Sequence, residues 1–200
     1  MNLLLISNST NFGETYLSWA MSQLESFCEK NNLTSDSKIV FVPFAGVYIN
    51  GNPYPQSYDA YTARVKKVFE EKLGLRNFVS VHEVEDKIQL VKDADCIVVG
   101  GGNTFALTKK MQKQGLMKAI LNKIKQGTPY VGWSAGSNVS CPTICTTNDM
   151  PIVEPESFKA IGAVKFQINP HYLDANPEGH AGETREQRIL EYIEANPRRW

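Results

Sequence analysis

A serine in a glycine-rich turn is the residue of this sequence best suited to chemistry. Ser134 stands at the centre of Gly132-Trp133-Ser134-Ala135-Gly136, which matches the G-x-S-x-G pattern of a nucleophile elbow. An apolar, strand-like run precedes it and a helix-like stretch follows it. A sharp strand-to-helix turn would present the hydroxyl at the edge of a sheet, and glycines would avoid clashes there. The pattern predicts a nucleophilic serine, and a tight turn with an incidental serine is the alternative.

A second glycine-rich segment ends another apolar run, in Ile97-Val98-Val99-Gly100-Gly101-Gly102-Asn103-Thr104. The segment lacks the spacing of a dinucleotide-binding loop and the Gly-Lys-Ser/Thr of a P-loop. Acyl transfer needs two backbone N–H donors that face the developing oxyanion. The amide of Ala135 is one candidate donor, and the amide of Gly101 or Gly102 is the other. The alternative is a turn that requires positive φ.

The serine also needs a base, because a hydroxyl is a weak nucleophile at neutral pH. Of the three histidines, His171 follows an apolar run in FQINPHY and is expected at the carboxyl end of a strand, where sites of parallel α/β sheets lie. His82 is interpreted as a surface or packing residue, and His180 as a substrate contact or a solvated residue. A third group must orient the base, and spacing leaves four candidates open: Asp149, Asp174, Glu178 and Glu183.

The elements that would position these residues alternate between strand-like and helix-like patterns. Apolar runs of this kind, separated by amphipathic stretches, indicate an α/β fold with a mostly parallel sheet between two layers of helices. The predicted strands are Leu3–Ser7, Ile39–Pro43, Phe78–His82, Cys96–Gly100, Tyr130–Trp133 and Val164–Ile168. The predicted helices are Glu14–Asn31, Ser57–Leu73, Asp86–Lys92, Thr104–Gln126 and Thr184–Glu194.

Charge and hydrophobicity argue against two classes of partner, nucleic acids and membranes. The formal net charge is zero, with 21 basic and 21 acidic residues, so no nucleic-acid partner is expected. No apolar stretch is long enough for a bilayer, and the apolar run of the N-terminus is too short for a signal peptide. We therefore expect no membrane partner, and a cytoplasmic location.

The four cysteines do not have the spacing of a metal site. Cys141 and Cys145 are close in sequence, but no second pair or histidine cluster accompanies them. We expect free, structural thiols and no metal.

Taken together, seven segments identify a family resemblance. The chain resembles the peptidase E family, α-aspartyl dipeptidases of the serine-peptidase group that also includes cyanophycinase. The resemblance extends from residue 2 to about residue 189 and is carried by NLLLISNST, FVPFAGV, VVGGGNTF, GWSAGSN, TTNDMPIV, INPH and PEGHAGETREQRI.

The resemblance implies a fold similar to class I glutamine amidotransferases, with serine in place of their cysteine. It implies hydrolysis of dipeptides with N-terminal aspartate, so the expected partner is a small peptide substrate, with no metal or cofactor. By motif, Ser134 and His171 correspond to the nucleophile and base, and Asp149 to the third triad member. Arg185 corresponds to the residue that binds the aspartyl carboxylate. Asn103, which follows the glycine run, is assigned to substrate binding.

Members of the family usually continue past the last helix into further strands, whereas this chain stops at NPRRW. We therefore expect a single peptidase domain, residues 1–200, that is either truncated at its C-terminus or lacks those strands. Two other functions remain open. One is a serine hydrolase of the same fold with another substrate, such as a cyanophycinase-like β-aspartyl peptidase or a non-acidic dipeptidase. The other is a protein without catalytic activity.

Overall fold

The computed structural model describes residues 1–49, 51–53, 55–174 and 182–197. Within these residues, five short apolar strands form one sheet. The strands are β1 Leu3–Ile6, β2 Ile39–Val42, β3 Phe78–Ser80, β4 Cys96–Val99 and β5 Tyr130–Trp133. Every residue of β2, β4 and β5 is buried, as expected for strands that are covered on both faces.

The helices alternate with the strands along the chain. They are α1 Met21–Lys30, α2 Gln56–Leu73, α3 Lys87–Lys92, α4 Thr104–Lys113, α5 Leu116–Lys125, α6 Ala135–Asn138 and α7 Arg185–Ala195. Short 3-10 helices at Ser18–Ala20 and Val81–Glu83 complete the described elements. None of the helices within the described ranges has the length and apolarity needed to cross a membrane.

The sheet has the order β1-β5-β4-β2-β3, and all of its paired strands are parallel. β4 and β5 are neighbours, with Val99 in register with Gly132. Their carboxyl ends therefore lie side by side at one edge of the sheet. The glycine run follows β4 at this edge, and Ser134 follows β5.

Alternate side chains of each strand enter two separate apolar cores. In β2, Val40 and Val42 pack in the core beneath α3, α4 and α5, whereas Ile39 and Phe41 pack in the core beneath α1 and α2. Burial of each such side chain stabilises the fold by roughly 1.5–3 kcal/mol. The predicted α/β fold, a parallel sheet between two helical layers, is confirmed.

Two predicted elements are wrong. The segment Val164–Ile168 is not a strand, because its backbone bonds with groups other than a neighbouring strand. The Val164 N–H donates to Ser140 O at 3.2 Å, and Ile168 O accepts from the side chains of Asn138 and Thr146. The single helix predicted at Thr104–Gln126 is two helices, α4 and α5, because Gly115 between them has φ +69°, which ends the helical path.

Candidate active site

Ser134 occupies a strained backbone conformation between β5 and α6. Its φ of 53° and ψ of −116° are unusual for a residue with a side chain. The flanking glycines make the turn possible: a Cβ on Gly132 would lie 2.5 Å from Gly136 O, and one on Gly136 would collide with Val99 O. The turn therefore has the geometry of the predicted nucleophile elbow.

The His171 ring lies against this serine. Its Nε2 is 2.7 Å from Ser134 Oγ, within the range of a hydrogen bond between a nucleophile and its base. His171 also has a positive φ, of 58°. Its backbone N–H donates to Ser7 Oγ at 2.9 Å, which ties the strained residue to the end of β1. Two strained residues thus meet at the edge of the sheet, and one hydrogen bond joins their side chains.

Burial and two neighbouring charges shift the pKa of His171. Partial burial of the ring lowers the pKa below its ordinary value of 6.5, and this is the largest effect. The carboxylate of Asp149 raises it, and the guanidinium of Arg185 lowers it. Because the net effect is a lowered pKa, the imidazole is neutral at pH 7 and can accept a proton.

Asp149 is held at the beginning of α4. Its Oδ2 accepts from the backbone N–H of Thr104 at 2.7 Å, at a helix N-terminus that favours a negative charge. It makes no hydrogen bond with the His171 ring in this structure and acts on the ring through its charge. Neither Asp149 Oδ1 nor His171 Nδ1 has a hydrogen-bond partner among the described residues.

The glycine run is crowded against the elbow. A Cβ on Gly101 would lie 2.8 Å from Ser134 Cβ, and a Cβ on Gly102 would collide with Ala45 O. Gly102 also has φ +132°, which L side chains rarely adopt. Glycine is therefore required at both positions for the loop to approach the serine.

The amides of this run differ in their partners. The N–H of Gly101 lies close enough to the buried hydroxyl of Tyr61 to lower the pKa of that hydroxyl. The N–H groups of Gly102 and Ala135 make no hydrogen bonds with described residues. Of the three residues predicted for the oxyanion hole, Gly102 and Ala135 therefore have free donors among the described residues, whereas the Gly101 N–H is near the Tyr61 hydroxyl.

Arg185 is the first residue of α7 and lies close enough to His171 to lower its pKa. Its Nη1 is buried and has no hydrogen-bond partner within the described ranges. Among the described residues, Arg185 makes no ion pair with its neighbours Glu183 and Glu186. Glu183 pairs instead with Arg188, with Nη2 and Oε2 2.8 Å apart.

Comparisons with known proteins agree with this geometry. The model of a family described as "Peptidase family S51" matches residues 3–199. Peptidase E of Nostoc sp. is 48% identical over 195 residues, which cover 98% of this chain and 75% of the relative. Peptidase E of Salmonella arizonae is 44% identical over 197 residues, which cover 98% of this chain and 80% of the relative.

The chain belongs to peptidase family S51. Membership makes it a serine-type peptidase, a hydrolase, and supports the predicted dipeptidase activity. The predicted resemblance to peptidase E is confirmed. The individual roles of the site residues remain predictions.

Two solved structures share the fold. A candidate peptidase E from Listeria monocytogenes EGD-e has a TM-score of 0.61 at 22% identity, over 95% of this chain and 86% of its own. A peptidase from an acI-B1 Actinobacterium has a TM-score of 0.64 at 17% identity, over 94% and 74% of the two chains. The S51 fold is thus retained at low sequence identity.

The S51 site also depends on polar residues that sequence reasoning missed. Three side chains bind the backbone just before His171: Asn138 and Thr146 donate to Ile168 O at 2.8 and 2.7 Å, and Asn148 donates to Pro170 O at 2.7 Å. Asn138 belongs to α6, so the short helix after Ser134 is bonded directly to the segment that carries the base. The signal for Thr146 and Asn148 was the cluster of Thr and Asn in TTND, which favours side chain to backbone bonds.

The remaining predicted site residues have these positions. Asn103 caps α4: its Oδ1 accepts from Ala106 N at 3.0 Å, and its Nδ2 donates to Met150 O at 2.8 Å. Its predicted contact with substrate stays a prediction. His180 and Glu178 lie outside the described residues.

The thiols are all free. Burial raises the pKa of Cys28 and of Cys141 to about 11, so both are unreactive at neutral pH. Within the described part of the chain, no group of His, Cys, Asp and Glu side chains has the arrangement of a metal site.

Proposed function

We propose that this protein is a serine dipeptidase that hydrolyses the peptide bond after an N-terminal aspartate. One observation carries the substrate assignment: a buried guanidinium nitrogen of Arg185, unpaired among described residues, beside the Ser134–His171 pair. A buried N–H donor without a partner is costly, and a substrate carboxylate would remove that cost. Arginine suits this role because its planar fork can donate two parallel hydrogen bonds to a carboxylate.

The mechanism follows from the geometry. Ser134 Oγ attacks the carbonyl carbon of the aspartyl residue as His171 Nε2 accepts the hydroxyl proton. The N–H groups of Gly102 and Ala135 stabilise the oxyanion of the tetrahedral intermediate. The imidazolium then donates its proton to the leaving amine, and water hydrolyses the acyl-enzyme by the same steps. The charge of Asp149 stabilises the imidazolium. Orientation of the ring by Asp149 would require a hydrogen bond to Nδ1 that this structure does not contain.

The pH dependence should follow the pKa of His171. The base works only when it is neutral, so activity falls as pH drops through the pKa of His171. We expect the acid limb of the pH profile below 6.5, the ordinary value for histidine.

Removal of the Asp149 charge, in Asp149→Asn, should lower the pKa of His171. Removal of the Arg185 charge, in Arg185→Met, should raise it. NMR titration of the ring protons measures each pKa directly in the free enzyme, and a His171→Gln variant assigns the resonance. Shifts in the same direction for the two variants would contradict the assigned surroundings.

A panel of X-Leu dipeptides tests the substrate assignment. We expect rapid cleavage of Asp-Leu and slow cleavage of Asn-Leu, Glu-Leu and Ala-Leu, because only aspartate places its carboxylate at the right distance from the scissile bond. The β-linked isomer of Asp-Leu distinguishes the cyanophycinase-like alternative. Preferred cleavage of that isomer, or equal rates on Asp-Leu and Ala-Leu, would overturn the proposed specificity.

We also propose a cytoplasmic location and no cofactor. The four free cysteines fit a reducing compartment, because paired cysteines are typical of secreted proteins. The mechanism above uses only groups of the chain, the peptide substrate and water.

A further inference from the structure

Tyr61, in α2, lies directly beneath the glycine run and has no part in the mechanism above. Its side chain is buried, and the residue is 3% exposed. The ring occupies space that only glycines leave open: a Cβ on Gly100 would lie 2.5 Å from the Tyr61 hydroxyl oxygen, and one on Gly46 would lie 2.5 Å from its Cδ1. The phenol is therefore fitted against the carboxyl end of β4.

The Tyr61 hydroxyl joins two segments of the active site that are distant in sequence. It accepts from Nε1 of Trp133 at 3.0 Å. It also lies against Gly100 and near the backbone N–H of Gly101, which lowers its pKa. The hydroxyl of Tyr16 lies 3.3 Å away on its outer side. Burial raises the pKa of Tyr61 to about 12, so the hydroxyl is neutral and serves as a hydrogen-bonding group, not as a base.

The two residues that this hydroxyl approaches, Gly101 and Trp133, precede the two proposed oxyanion donors. Gly101 is followed at once by Gly102, and Trp133 is separated from Ala135 only by Ser134. Because the loop and the elbow are in contact, the distance between the two donors depends on how these segments are held together. Sub-ångström errors in such donors weaken stabilisation of the oxyanion but leave substrate contacts in place.

We propose that the Tyr61 hydroxyl is a positioning group that sets the spacing of the Gly102 and Ala135 amides in the oxyanion hole. This inference rests on the proposed serine mechanism. It makes Tyr61 a determinant of the rate of acyl transfer, and not of substrate affinity. The ring of Tyr61 packs in the core, and its hydroxyl oxygen positions the two amides.

The test is Tyr61→Phe, which keeps the ring and removes the oxygen. We expect kcat to fall by about 10²-fold, near the effect of losing one oxyanion donor, with KM changed less than about threefold. Tyr16→Phe is the matched control, because it removes the neighbouring hydroxyl of the same cluster, which does not contact the glycine run. Its kcat should stay within about threefold of wild type. A folded Tyr61→Phe protein with wild-type kcat, or equal losses in the two variants, would overturn the proposal.

A second readout separates this inference from the substrate assignment. A fluorophosphonate phosphonylates an active serine with release of fluoride, and it requires the oxyanion hole but no aspartyl group. The rate of labelling of Ser134, measured by mass spectrometry, should fall in Tyr61→Phe even if no dipeptide proves to be a substrate. An unchanged labelling rate would overturn the role of Tyr61 alone. If Tyr61→Phe does not fold, Trp133→Phe removes the other side of the contact. A labelling rate lowered about tenfold or more supports the proposal, and a wild-type rate overturns it.

Discussion

Replacement of Ser134 by alanine should remove hydrolysis almost completely, with a loss in kcat of about 10⁴-fold or more. The reason is that Ser134 Oγ is the only hydroxyl within hydrogen-bond distance of His171 Nε2 in the described part of the chain. The Oγ has no other hydrogen-bond partner there, so stability should change by less than about 1 kcal/mol. Initial rates on Asp-Leu, together with thermal unfolding, measure both effects.

A serine in the same turn provides the control for this experiment. Ser137 Oγ is buried and lies 2.7 Å from both Ile6 O and Gly132 O, which share its single hydroxyl proton. A fluorophosphonate should therefore label Ser134 and not Ser137, as peptide mapping by mass spectrometry can distinguish. Near-normal turnover by Ser134→Ala would mean that another residue is the nucleophile.

Replacement of Arg185 by methionine should cut kcat/KM on Asp-Leu by about 10²- to 10³-fold, because the substrate carboxylate would then be desolvated without a cation. Slow cleavage of Ala-Leu should barely change, since that substrate has no carboxylate in the pocket. Specificity is a difference between substrates, so the ratio of the two kcat/KM values is the measurement.

Arg188→Met is the matched control, three residues further along α7. Arg188 is exposed and pairs with Glu183 and Glu191 at 2.8 Å. Exposed pairs of this kind contribute at most about 1 kcal/mol to stability, so both activities should match wild type. If Arg185→Met lowered both activities equally, or neither, Arg185 would not determine specificity, and a serine hydrolase of broader preference would be favoured.

Much of the active site could be predicted because each part has a strong local pattern. The elbow at Ser134 needs glycines on both sides, and the glycine run after β4 must approach it closely. Both features are therefore recognisable in the sequence as glycine patterns. The parallel strands follow from continuous apolar runs. His171 could be placed at the same edge because it follows an apolar segment, although that segment is not a strand.

The orientation of single groups could not be predicted, because it depends on residues far along the chain. The Gly101 amide lies near the hydroxyl of Tyr61, 40 positions earlier, and Asp149 is held by the amide of Thr104, 45 positions earlier. The segment before His171 alternates like a strand, but the side chains of Asn138 and Thr146 take its backbone bonds. Such contacts depend on tertiary structure and not on local pattern.

The placement of Arg185 on α7 separates the proposed choice of substrate from bond cleavage, two properties that many enzymes combine in one set of residues. In the proposed mechanism, the nucleophile and the oxyanion donors lie at the buried sheet edge, where the glycines of the run and the elbow leave no room for a side chain. No residue of α7 is fully buried. Mutations in α7 can therefore accumulate at little cost to folding, and those near Arg185 would alter the choice of substrate while the proposed nucleophile and oxyanion donors stay in place. Selection for new peptide preferences in this scaffold should thus act first on the helix and leave the elbow unchanged.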